Sequence, residues 1–201
     1  MLVAANKLIG TPILSMQAGG AIGRIIDFIV DPDTLKIIAF RLEGPVINRN
    51  SNILDVSSVR EYSNFGMVID DTDELVAPDD VVKISKILEL NFSLIGLKVE
   101  TKKGSKLGKI INFTVTSEDF TVQQLIVKRP AIKSFIDPEL TIHRKEIVEI
   151  TDYKVIVKDE EKILKEKAAK EDFVPNFVNP FREQQPDFAP ADTKTPAGKD
   201  N

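Results

Sequence analysis

Gly20-Ala21-Ile22-Gly23-Arg24-Ile25-Ile26-Asp27-Phe28-Ile29-Val30-Asp31 decides how this chain is read, because it occurs twice. The second occurrence is Ser105-Lys106-Leu107-Gly108-Lys109-Ile110-Ile111-Asn112-Phe113-Thr114-Val115-Thr116. Both follow a small-residue turn, keep a glycine in the same place and then alternate apolar with polar residues. Repetition at this separation means a repeated structural unit, which has to be settled before anything else.

Working outward, Leu8-Ile9-Gly10 opens the first copy and Leu94-Ile95-Gly96 the second. Asp31-Pro32-Asp33-Thr34 lies opposite Thr116-Ser117-Glu118-Asp119, Ile37 to Leu42 opposite Val122 to Val127, and Pro45 opposite Pro130. After a variable loop (Val46 to Asn52 in one copy, Ala131 to Glu139 in the other) the match resumes. Val59 to Tyr62 answers Ile147 to Ile150, and Met67 to Asp70 answers Val155 to Lys158. One unit is roughly 70 residues, a size that is only marginally stable by itself.

Period-two alternation predicts short strands, with Ile26, Phe28 and Val30, and likewise Ile111, Phe113 and Val115, on the inner face. Phe40 and Leu42, matched by Leu125 and Val127, are expected to face inward from the partner strand of each hairpin. The pairs Gly19-Gly20 and Gly104-Ser105 suit the positive φ of a tight turn. Gly23 and Gly108 suit a bulge or a close backbone approach. A phosphate-binding reading of these glycines fails, because they precede a strand and not a helix. Gly20, Gly23, Phe28, Gly104, Gly108 and Phe113 are therefore structural residues.

The expected fold class is all-β: two tandem small antiparallel barrels, each followed by a short helix, and then a disordered tail. Residues 1–78 form the first unit, 79–91 a helical linker capped by Asp79, 92–158 the second unit and 159–171 a second, more exposed helix. The chain from 172 to 201 is a Phe- and Pro-containing tail whose composition predicts disorder.

The repeated pattern resembles the PRC-barrel family. The residues that carry the resemblance are the Leu-Ile-Gly entry, the Gly-x-x-Gly-x-Ile-x-Asp-Phe-x-Val-Asp hairpin, and the closing Val-x-x-Tyr segment with its Val-Ile strand. It spans roughly residues 6–78 and 92–158. The second copy departs from it: Asn112 stands where Asp27 does, and Gln123-Gln124 where Ile38-Ala39 do. The resemblance implies a mostly antiparallel barrel of about six strands, a size usually filled by side chains. It also implies protein–protein contact as the common role. Such barrels occur in the reaction-centre H subunit and in a ribosome maturation factor that binds a small-subunit ribosomal protein. It carries no catalytic residue over to this chain.

Composition narrows the chemistry. The 201 residues are 42% hydrophobic and 29% charged, with a net charge of −4. Cysteine is absent, which removes disulfides, thiol nucleophiles and thiolate metal sites, and fits a cytoplasmic location. No run reaches the ~20 apolar residues of a membrane span. His143 is the only histidine, and no nucleophile elbow accompanies it, so it reads as a partly exposed strand residue. The acidic run Asp70-Asp71-Thr72-Asp73-Glu74 lacks the spacing of a calcium loop and reads as a solvated turn. No catalytic residue, metal, cofactor or small-molecule substrate is expected.

Two features point to a partner. Lys98, Lys102, Lys103, Lys106, Lys109, Lys128, Arg129 and Lys133 gather in the first half of copy two, opposed there only by Glu100, Glu118 and Asp119. If the hairpins pair, Lys98, Lys106, Lys109 and Lys128 share one rim, which could meet an acidic protein surface or RNA phosphates. Phe173, Phe177 and Phe181 punctuate a proline-broken stretch and must be covered, either by the barrels or by a partner. The leading expectation is a non-enzymatic protein-interaction adaptor of unknown partner. The alternative is an RNA- or ribosome-associated assembly factor that uses the basic surface.

Overall fold

The computed structural model describes residues 1–130 and 138–159. The second helix, the tail with Phe173, Phe177 and Phe181, Lys133 and most of the 131–139 loop lie outside the described residues. The chain is mostly β. In order it forms β1 (Leu2–Ala4), α1 (Ala5–Leu8), β2 (Pro12–Ser15), β3 (Gly20–Asp31), β4 (Lys36–Glu43), β5 (Ile53–Asp55), β6 (Glu61–Ser63), β7 (Gly66–Ile69) and β8 (Leu75–Val76). Then follow α2 (Val82–Glu89), β9 (Lys98–Thr101), β10 (Lys106–Thr116), β11 (Val122–Lys128), β12 (Glu139–His143), β13 (Ile147–Ile150) and β14 (Lys154–Val157).

The strands make two curled sheets of one topology. The first runs β6-β7-β2-β3-β4-β5-β8 and the second β13-β14-β9-β10-β11-β12. Each contains one parallel pair, β2 with β7 and β9 with β14, at the same place in an otherwise antiparallel sheet. The repeat seen in the sequence is thus a repeat of connectivity.

The repeated hairpin departs from simple alternation in a repeated way. Register shifts fall between Ile25 and Asp27 and between Ile29 and Val30 in β3, and at the equivalent Ile110/Asn112 and Thr114/Val115 in β10. Each bulge adds an unpaired residue and reverses the inside–outside phase. Ile26 and Ile111, expected inward, are therefore turned out, 38% and 40% exposed, while Ile25 and Ile110 take the core positions. Phe40, Leu42, Leu125 and Val127 are buried as expected.

The two units share one core. Equivalent residues meet each other, as in an isologous dimer interface, but within one chain. Phe28 packs edge-on against Phe113 with centroids 5.4 Å apart. At the hairpin tips, the Ile37 N–H donates to the Phe120 carbonyl (3.1 Å) and the Val122 N–H to the Leu35 carbonyl (2.9 Å). Leu35 and Phe120 both hold a left-handed φ of 52°, strained for such side chains, and these reciprocal bonds hold them there. Phe120 also contacts Phe40 and Tyr62 edge-on. Arg144 donates to the Thr34, Leu35 and Val122 carbonyls, tying the two tips together.

The leading segments are exchanged. β1, ahead of the first unit, pairs with β10 of the second, Leu2 opposite Thr116 and Ala4 opposite Thr114. α2, ahead of the second unit, lays Ile84 and Ile87 on Ile29, Ala39 and Ile53 of the first. Asp79 does not cap this helix: Val81 occupies the cap position with no side-chain bond. Burial of Ile84 and Ile87 places it, helped by an ion pair from Lys83 Nζ to Asp31 Oδ2 (2.8 Å).

Asp31 is buried, and burial alone would raise its pKa. Hydrogen bonds from Lys83, Thr34 and the Asp33 N–H, with the Lys83 charge, outweigh that and hold it below the ordinary carboxylate value. A depressed native pKa gives stability that is present above the unfolded pKa, about 3.9, and lost as pH falls through the native value. Asp31→Asn is therefore expected to be less stable than wild type at pH 7, by about 1–3 kcal/mol for a charged buried bond. The difference should shrink as pH drops below about 4. Urea midpoints of both proteins from pH 7 to pH 3 check this; a constant gap would contradict it. In copy two the pair is inverted: Thr116 Oγ1 donates to Asp119, the acid having moved to the other end of the loop.

Candidate partner-binding face

The basic residues come together because β9, β10 and β11 are neighbours. In register, Lys98 lies opposite Lys109, and Lys109 opposite Lys128. The parallel partner β14 extends the row by setting Lys154 opposite Lys98. Directly opposed residues share a face, and Val99, Ile110 and Val127 fill the core from the other face. The row therefore points to solvent, where Lys98, Lys109 and Lys128 are exposed.

Among the described residues, no carboxylate is within ion-pair distance of Lys98, Lys109 or Lys128. The nearby acid, Glu100, is taken by Lys154 (2.9 Å). That hydrogen bond, aided by the charges of Lys154, Lys106 and Lys98 and opposed by burial, holds Glu100 below the ordinary carboxylate value. Like charges directly opposed across strands cost stability, so folding alone does not account for three successive lysines.

The row borders a cleft of about 520 Å³ lined by Lys98, Lys106, Lys109 and Lys128, with Glu100, Gly108, Ile111, Arg129 and Pro130. Gly108, part of this lining, sits at φ 146° against the Lys128 carbonyl, where a Cβ would collide. Lys102 and Lys103 stand apart, in the β9–β10 turn; Lys103 pairs with Asp159 (3.1 Å). The row member that sequence reading missed is Lys154. Its outward phase in Lys154-Val155-Ile156-Val157 is readable, but the strand it pairs with is not.

The first unit has the same cleft, about 910 Å³, over Gly23. There Pro12 replaces Lys98, Ala21 replaces Lys106, Arg24 replaces Lys109 and Glu43 replaces Lys128. Arg24 Nε donates to Glu43 Oε1 (2.8 Å), so these two charges neutralise each other and Arg49 is the remaining cation of the lining. Gly23 is needed because a Cβ would collide with the Glu43 carbonyl; in the turn before β3 the left-handed residue is Gly19 and not Gly20. Gly104 plays Gly19's part before β10, at φ 81°. The fold thus provides the cleft twice, and the second is by far the more cationic.

Other candidates are used locally. The His143 N–H donates to the Glu146 carboxylate (2.8 Å) at the end of β12. In the acidic run, Asp70 accepts from Arg60 and Asp71 caps the next turn by accepting from Thr72. No helix among the described residues is long and apolar enough to cross a membrane. No protein-family model matches the chain, and no curated protein is significantly similar to it.

Proposed function

We propose that the chain is a non-enzymatic interaction scaffold made of two PRC-barrel-like units, with the lysine row of the second unit as its binding face and a protein as its partner. The observation behind this reading is the cross-strand row Lys128-Lys109-Lys98, with no carboxylate among the described residues within ion-pair distance, in a chain that is acidic overall. In its twin the same positions carry a neutralising Arg24–Glu43 pair. The closed, six-stranded barrel of the resemblance belongs to this proposal; the duplicated strand order supports it. An RNA partner is the weaker reading. Sequence-tolerant RNA binding uses aromatic platforms among the cations, and no aromatic side chain among the described residues lines the cleft. Tyr153, exposed beside Lys154, stands at the β13–β14 hairpin tip outside that lining.

A residue kept for binding against the interest of the fold should show it when replaced. Lys109→Glu is expected to raise stability at low ionic strength by about 0.5–1 kcal/mol, by pairing with Lys98 and Lys128. The same change should abolish the recovery of nuclease-resistant, salt-sensitive protein partners in affinity purification. Unchanged recovery from Lys109→Glu would overturn the proposal, and recovery that vanishes with nuclease would replace it with the RNA reading.

A further inference from the structure

The lysine face carries more than charge. Ile111 follows Lys109 by two residues, and the bulge that turns it out of the core places it in the cleft wall among the lysines. An aliphatic residue left 40% exposed among lysines that outnumber the one lining carboxylate, Glu100, makes a surface that is apolar at its base and net positive at its rim. The stems of Lys98, Lys106, Lys109 and Lys128 add to the apolar base while their ammonium groups stay in water.

The spacing of the row sets a second condition. Neighbouring strands are about 4.8 Å apart, so Lys98 to Lys128 covers two strand gaps, roughly 10 Å. An extended peptide presents side chains on one face every ~6.8 Å. Carboxylates at positions i, i+2 and i+4 span about 14 Å, a reach that the long, flexible stems of Lys98 and Lys128 cover by leaning outward from the row. The cleft of about 520 Å³ has room for a bulky side chain but not for an element of a folded domain.

Resting on the scaffold reading above, we infer that the second-unit cleft binds an extended acidic segment of a partner protein, with carboxylates at alternate positions on the lysine row and one bulky aliphatic side chain against Ile111. The first unit is excluded as a second copy of this site. Pro12, Ala21 and Glu43 stand where Lys98, Lys106 and Lys128 do, and Glu43 neutralises Arg24, so the row of cations is missing.

Fluorescence anisotropy on the full chain tests this with four labelled probes. They are a short peptide alternating glutamate and threonine around a central leucine, the same peptide with serine for leucine, one of the same composition with its glutamates consecutive, and a uridine oligonucleotide. The leucine peptide should bind best, and more weakly as salt rises. Lys109→Glu with Lys128→Glu should weaken it at least about tenfold, as expected for losing close charge pairs. Ile111→Ser should weaken it about three- to tenfold and leave the serine peptide unchanged. Arg24→Glu, in the first unit, should change nothing. Thermal melts of each variant establish that it is folded, and Lys109→Gln with Lys128→Gln gives a milder replacement of the same charges. The inference is overturned if the oligonucleotide binds more tightly than the leucine peptide at equal ionic strength. It is also overturned if the double lysine variants bind the peptide like wild type, or if the consecutive-glutamate peptide binds as well. If no peptide binds while lysine-dependent protein recovery persists, the occupant is wrong and the scaffold stands. If both fail, the scaffold falls as well.

Discussion

Gly108→Ala is expected to remove much of the stability of the fold. The substituted Cβ would collide with the Lys128 carbonyl oxygen and lie 2.8 Å from its carbon, both backbone atoms of the paired strand β11. The residue also holds φ 146°, which costs an L-residue about 1–3 kcal/mol. Forcing a group into a filled position costs about 1–3 kcal/mol more. The sum is a large fraction of the 5–15 kcal/mol by which an average domain is stable. Gly104→Ala is the control: its φ of 81° is also left-handed, but nothing lies within 4 Å of the added Cβ, so only the conformational cost should appear. Urea denaturation of the two variants separates strain from collision. Equal losses would show that the approach of β11 to Gly108 can relax.

Phe113→Ala should cost about 3–5 kcal/mol as a fully buried aromatic replaced by alanine. A further 0.5–1.5 kcal/mol should go with the edge-on pair it makes with Phe28 across the two units. Because the core is shared, the loss should be felt in both halves. The chain has no tryptophan and two tyrosines, Tyr62 in the first unit and Tyr153 in the second. Tyr62→Phe and Tyr153→Phe therefore leave one fluorescent reporter in each unit. The two reporters should give coincident urea transitions, and Phe113→Ala should shift both midpoints equally. Separate midpoints would show that the units fold independently.

Particular residues show how much could be read beforehand. The duplication, both hairpins, the left-handed turn at Gly104 and the close approaches at Gly23 and Gly108 were legible, because glycine has few other reasons to recur at fixed positions. The inward assignment of Ile26 and Ile111 failed. A bulge changes phase without changing composition, so alternation cannot reveal it. The sharing of a rim by Lys98, Lys106, Lys109 and Lys128 followed from hairpin pairing, which is local. Lys154 joins through a parallel pair between strands more than fifty residues apart, and nothing local specifies that neighbour. The exchange of β1 and α2 between units was equally silent, since Leu2-Val3-Ala4 pairs as readily with any open strand edge.

By itself, the sequence determined that this is a duplicated β protein, where its tight turns lie, and that its positive charge is concentrated in the second copy. Those properties reside in residue types and short spacings, which survive whatever the chain does at long range. Only the tertiary structure decided that equivalent hairpins pack on each other, that each unit's leading segment crosses to the other, and that three lysines stand side by side over an aliphatic cleft. Each of these depends on which strands become neighbours. That choice is made by the burial of apolar surface across the whole chain, not by any stretch of it.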